Sequence, residues 1–178
     1  MLSDPATTGP PWVVTTGEQA PEAVDRLLRS LPGWFGIESS ILEYVEAARK
    51  LPTYLARLRG ERRPVGVLLA SRHFPGAAEI YLMAVDPSVH RRGVGTALVT
   101  ALERDLAAEH VRLLQVKTLG PSHSDPGYRL TRLFYEGMGF APLEEIAGLW
   151  PGNPCLVMVK VLGSPGSVEC AVDPGHAR

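Results

Sequence analysis

Two cysteines in 178 residues are too few to staple a small secreted domain, so a reducing, cytoplasmic setting is expected. Excess charge is also missing. With 18 basic residues against 19 acidic ones the formal charge is −1, which gives no general attraction for nucleic-acid phosphates or an anionic bilayer, and neither is expected as a partner. No apolar run approaches the ~20 residues a membrane span requires. The opening residues MLSDPATTGPPW have neither the basic start nor the continuous apolar stretch of an export signal. The five histidines show no paired ligand spacing and neither Cys155 nor Cys170 has a nearby partner, so no metal and no covalent intermediate are expected. No internal repeat occurs.

What is present is the composition of a globular chain, 45% apolar and 21% charged, of a length that suits one core. Residues 1–11, rich in Pro, Thr and Gly, read as a loose arm, residues 12–162 as a single domain, and residues 163–178 as a small polar tail. A short strand at Trp12–Thr15 precedes a helix opened by Pro21, with Val24, Leu27, Leu28 and Leu31 on one face. Ser40 and Glu43 have capping-box spacing for a second helix whose face is Ile41, Tyr44, Val45 and Ala48. Between the two helices, Trp34 and Phe35 flanked by glycines read either as a mobile substrate lid or as buried hinge packing.

Short apolar segments at Thr53–Leu58, Val65–Ala70 and Glu79–Val85, joined by tight turns, favour antiparallel neighbours. A helix carrying Leu98, Ala101, Leu102 and Leu106 then leads to a strand at Leu113–Thr118, a strand–helix–strand unit that should be parallel. The loop GPSHSDPG enters a helix capped by Asp125, with Pro126 at its first position and Gly139 at its end. In that helix Leu130, Leu133, Phe134 and Gly137 read as the core stripe and Tyr128, Thr131 and Tyr135 as another. Strands at Phe140–Ile146 and Cys155–Leu162 close the domain.

The chemistry concentrates in AEIYLMAVDPSVHRRGVGTAL, from Ala78 to Leu98. A helix N-terminus offers unpaired backbone N–H groups and a partial positive charge to a phosphate, and glycine allows close approach. The P-loop is excluded because Gly95 is followed by Thr96-Ala97 and not by Lys and a hydroxyl residue. The dinucleotide fingerprint fits poorly, with Leu98 where a third small residue belongs.

That stretch followed by RLFYEGMGF resembles the acetyl-CoA motif and tyrosine helix of the GNAT superfamily of N-acetyltransferases, and the element order is similar over most of the chain. The resemblance implies an α/β (α+β) fold with a mixed, mostly antiparallel sheet of about seven strands and flanking helices. It also implies direct attack of a primary amine, of a small molecule or a peptide, on the thioester of acetyl-CoA. Backbone groups of Met83, Ala84 and Val85 would pair with the pantetheine arm, and amides from Arg91, Arg92, Gly93, Val94, Gly95 and Thr96 would cradle the pyrophosphate. An N–H near Met83 or Ala84 would serve the oxyanion. Tyr135 stands where the family's general acid often does. Glu79, in an Ala-Glu-Ile context similar to that of histone acetylators, would be the base, sharing a face with Tyr81, Met83 and Val85 in period-2 alternation. His90 departs from the family's usual Gln or Arg and implies a modest, pH-dependent change in cofactor affinity. Tyr128, His123 and Trp34 are candidates for reading the acceptor. A non-catalytic acyl-CoA sensor is the alternative, and a homodimer is an open option.

Overall fold

The structure, a computed structural model, describes residues 11–163, so almost all of the expected arm, the expected tail and Cys170 lie outside the described residues. Seven strands form one sheet: β1 (Trp12–Thr16), β2 (Thr53–Leu58), β3 (Gly66–Phe74), β4 (Ala77–Val85), β5 (Leu113–Leu119), β6 (Ala141–Trp150) and β7 (Asn153–Val161). Their order is β1-β2-β3-β4-β5-β7-β6. Every neighbouring pair is antiparallel except β4 with β5, which are joined by the helix α3 (Val94–Ala108) and run parallel. Helices α1 (Pro21–Arg29) and α2 (Glu38–Ala47) cover one face with a core built on Val24, Leu27, Leu28, Leu55, Leu69 and Leu82. Helices α3 and α4 (Pro126–Gly137) cover the other, packed on Leu68, Ile80, Leu98, Leu114 and Met158. No helix among the described residues is long and apolar enough to cross a membrane.

Two irregularities in the middle of the sheet organise everything that follows. Strands β4 and β5 pair only from Ala77↔Leu113 to Ile80↔Val116, although β4 runs on to Val85 and β5 to Leu119. The strands therefore part, and the last five residues of β4 have a neighbour on the β3 side only. At the same point β4 carries a bulge. Leu69 opposes Leu82 while Ala70 opposes Ile80, which leaves Tyr81 as the extra residue.

The bulge reverses the alternation of side chains. Ala78 and Ile80 face α3 and α4 before it, as do Met83 and Val85 after it, whereas Leu82 and Ala84 face α1 and α2. Glu79, alternating with Ala78 and Ile80, thus lies on the α1/α2 face and not with Met83 and Val85 as strict period 2 would have it.

Local chemistry explains most element ends. Asp125 caps α4 by accepting from the N–H groups of Gly127 (2.7 Å) and Tyr128 (3.1 Å), and Gly139 follows the helix at φ +87°. The capping box at Ser40 does not form. Helix α2 starts earlier, at Glu38, behind Ile37, with no side-chain cap. The expected core stripe of α4 is also turned. Leu130 and Leu133 are exposed, and the inward side is Phe134, Tyr135 and Met138.

Candidate functional site

The open edge of β4 is a row of backbone donors and acceptors. Asp86 N–H donates to the Val65 carbonyl of the β3 side at 2.8 Å, so with two-residue alternation Ala84 also turns its polar groups to β3, while those of Met83 and Val85 point to the parting. Of the three residues expected to hold an extended ligand by their backbones, two are thereby aimed at the gap. The Val85 carbonyl accepts from His90 Nε2 at 2.8 Å, which leaves both Met83 groups and the Val85 N–H facing the opening. The edge from Tyr81 to Val85 is ~13 Å long at ~3.3 Å per residue.

Beyond Val85 the chain makes a 3₁₀ turn at Pro87–Val89, tied by Asp86 to Ser88, and then two left-handed residues, Arg91 at φ +59° and Gly93 at φ +83°. Gly93 is the N-cap residue of α3 and no side chain caps the helix, so the N–H groups of Val94, Gly95 and Thr96 point outward without helical partners. Arg91 and Arg92 are exposed beside them. The indole of Trp12, at the start of β1, donates to the Arg92 carbonyl at 2.6 Å and braces the turn from the far edge of the sheet. Glycine is required twice for close packing. A Cβ on Gly95 would lie 3.2 Å from the Phe134 ring, and one on Gly66 would lie 2.8 Å from Val94 Cγ1.

Glu79 sits at the closed end of the parting and is 4% exposed. Its carboxylate accepts from Lys117 Nζ at 2.8 and 3.0 Å and from Gln115 Nε2 at 3.1 Å, and lies 2.5 Å from His73 Nε2. Burial pushes its pKa up, but the hydrogen bonds from Lys117, His73 and Gln115 outweigh that and hold it below the usual carboxylate value. Tyr135 is buried on the opposite face of the sheet, edge-on to Phe134 and Phe140. Burial alone drives its pKa far above the ordinary phenol value, so the hydroxyl keeps its proton. A carboxylate thus lies on one face of the sheet and a neutral phenol on the other. Thr118 lies on β5 two residues past the last rung with β4, on the face that α4 covers. It is 3% exposed, and its Oγ1 is the one buried side-chain polar atom without a partner among the described residues.

Trp34 is not buried hinge packing. It is 37% exposed and bridges the elements around the opening, edge-on to His90 at 6.1 Å and close enough to α4 that a Cβ on Gly127 would lie 3.2 Å from its indole. The Tyr128 hydroxyl donates to the Trp34 carbonyl at 3.2 Å. His123 turns its Nδ1 to the Asp125 N–H at 3.2 Å, organising the loop before α4. Sequence reasoning missed the partners of Glu79. Gln115 and Lys117 alternate along β5, and only the parallel register, which sets Glu79 opposite Gln115, brings them to it. It also read Tyr44 as one more core position of α2, although its ring meets Tyr81 edge-on at 5.6 Å. No group of three or more metal-ligating side chains occurs among the described residues.

A sequence model of the acetyltransferase (GNAT) family matches residues 21–140. No curated protein matches the chain in sequence. Among solved structures, a GNAT-family protein from Desulfovibrio desulfuricans superposes with a TM-score of 0.74 at 19% identity, covering 85% of this chain and 99% of its own. A ribosomal-protein alanine N-acetyltransferase from Escherichia coli gives 0.69 at 16% identity, with 88% and 97% covered. An aminoglycoside 6'-N-acetyltransferase in complex with coenzyme A gives 0.66 at 19% identity, with 87% and 99% covered.

Proposed function

The chain belongs to the GNAT family of acetyltransferases, and from that premise we propose that it is a cytoplasmic, acetyl-CoA-dependent N-acetyltransferase acting on a primary amine of a small molecule or peptide. The observation that carries the reading is the five-residue open edge of β4. It leads from an uncapped helix N-terminus to a gap with a carboxylate on one face and a protonated phenol on the other.

The residues fit acetyl-CoA on independent grounds. The orphaned Thr118 hydroxyl calls for a partner that the described residues do not supply. Gly93 and Gly95 open the helix N-terminus to a pyrophosphate, for which unpaired amides and two free guanidinium groups are the matching donors. Bound acetyl-CoA supplies an acyl group activated as its thioester.

The protein's own groups then divide the work. The amides from Arg91 to Thr96 hold the pyrophosphate, and Met83 and Val85 align the arm as an added strand would be aligned. Glu79 accepts the proton of the attacking amine, directly or through one water, while Lys117, Gln115 and His73 fix the carboxylate as an anion. As the carbon–sulfur bond breaks and the carbon–nitrogen bond forms, Tyr135 gives its proton to the departing thiolate from the α4 side. The Met83 N–H is aimed at the gap and polarises the carbonyl.

Release of free thiol across a panel of amines tests this. Tyr135→Phe should lose ~10²- to 10⁴-fold in kcat while binding CoA as the wild type does. Wild-type protein that binds CoA but turns over no amine would be a sensor and not an enzyme.

A further inference from the structure

The acceptor side of the gap is lined with aromatic rings. Four aromatic residues from four elements are linked in a chain of contacts, Trp34 of the α1–α2 loop to Tyr128 in the first turn of α4, Tyr128 near Tyr44 of α2, and Tyr44 to Tyr81 at the bulge of β4. Tyr44 and Tyr81 meet edge to face at 5.6 Å, Phe35 backs Tyr44 at 5.9 Å, and the Tyr128 hydroxyl donates to the Trp34 carbonyl. Tyr81 at 38% and Trp34 at 37% are the more exposed of the four, Tyr44 and Tyr128 being half-buried.

The position of the cluster follows from the bulge. A pantetheine arm that starts at the α3 N-terminus and follows the open edge backward ends where β4 and β5 rejoin, next to Tyr81. An amine attacking there comes from the face that Glu79 and Tyr44 share, because Tyr135 and Phe134 fill the other.

The charged groups around the rim are nearly all committed. Glu79 is paired with Lys117, Asp125 caps α4, and His90 is held on the Val85 carbonyl. On α2, Glu38 is paired with Arg29 and Glu46 with Lys50. Glu43 is exposed, has no ion pair among the described residues, and is close enough to act on Tyr44, whose hydroxyl burial pushes up to about 12. Aromatic surface beside carboxylates already paired to cations suits a flat apolar body better than a polycation. Resting on the acetyl-transfer reading above, we propose that the acceptor is a compact monoamine with an aryl or flat apolar body, held against Trp34 and Tyr81, and not a polycation.

The test compares 2-phenylethylamine, spermidine, an aminoglycoside and an alanyl peptide as acceptors, followed by free thiol. 2-Phenylethylamine should have a kcat/KM about tenfold or more above each of the others, the scale of one aryl stack and one cation–π contact. Trp34→Ala and Tyr81→Ala, both at exposed positions, should raise its KM about tenfold with little effect on CoA affinity, and Trp34→Phe should restore most of the loss. A higher kcat/KM for spermidine, the aminoglycoside or the peptide, or an unchanged KM in both alanine variants, overturns the acceptor class while leaving acetyl transfer standing. A CoA-induced rise in Tm with no turnover of any amine overturns both.

Discussion

Replacing Thr118 by valine separates a group kept for a ligand from one kept for the fold. The two side chains are close to isosteric, and the hydroxyl is the only buried side-chain polar atom without a partner among the described residues. A buried group left unpaired costs ~1–3 kcal/mol. Thr118→Val should therefore stabilise the ligand-free protein by ~1 kcal/mol, a rise in Tm of ~2–4 °C for a domain of this size. The same change removes one neutral hydrogen bond to bound cofactor, worth ~0.5–1.5 kcal/mol, so the Kd for CoA should rise about threefold to tenfold. The two effects have opposite sign, which no purely structural role produces. Thermal unfolding with and without CoA, together with calorimetric titration, reads both. Thr118→Ser keeps the hydroxyl and should retain CoA affinity while losing the packing of one methyl group. A ligand-free valine variant that melts lower than wild type, or one that binds CoA as tightly, would refute the reasoning.

Two further perturbations address other parts of the site. Because the folded protein holds the Glu79 pKa below its ordinary value, the stabilisation from this group is complete above the usual carboxylate range and fades as pH falls through the folded value. Glu79→Gln should flatten the acid limb of a stability–pH curve from urea unfolding, and an unchanged limb would show that the network contributes nothing. Gly66→Ala places a methyl group 2.8 Å from Val94 Cγ1 and 3.1 Å from Leu98 Cδ1. It should cost ~1–3 kcal/mol and, by pushing the first turn of α3 off the sheet, weaken CoA binding more than a β-strand substitution elsewhere. Equal Tm values for the two proteins would contradict this.

Much of this fold was legible because local chemistry and pattern agree in it. The turns between β2, β3 and β4 are short, α3 follows a strand through a glycine-bearing turn, and Asp125-Pro126 marks a helix start that the structure confirms. The misreadings come from places where one residue changes the phase. Period 2 holds on each side of Tyr81 but not across it, so the face of Glu79 was assigned from the wrong half of β4. In α4 two apolar stripes compete, and the choice between Leu130-Leu133 and Tyr135-Met138 is made by packing on β5 and Phe140, not by hydrophobicity. The polar cluster around Glu79 was invisible for another reason. His73, Glu79, Gln115 and Lys117 come from three strands, and they meet only through the parallel β4–β5 register and a second bulge, at His73 of β3, where Arg72 opposes Ala78 and Phe74 opposes Ala77.

On the proposed reading of the α3 N-terminus as the pyrophosphate site, the indole of Trp12 gives the outermost strand a share in ligand binding. Strand β1 pairs only with β2, and terminal strands are the first to open in native-state fluctuations. Each such opening withdraws the donor from the Arg92 carbonyl and loosens the turn that shapes the α3 N-terminus. Fraying at the edge of the sheet is thereby coupled to dissociation in its centre. By reciprocity, an anion seated on α3 slows amide exchange in a strand it never touches.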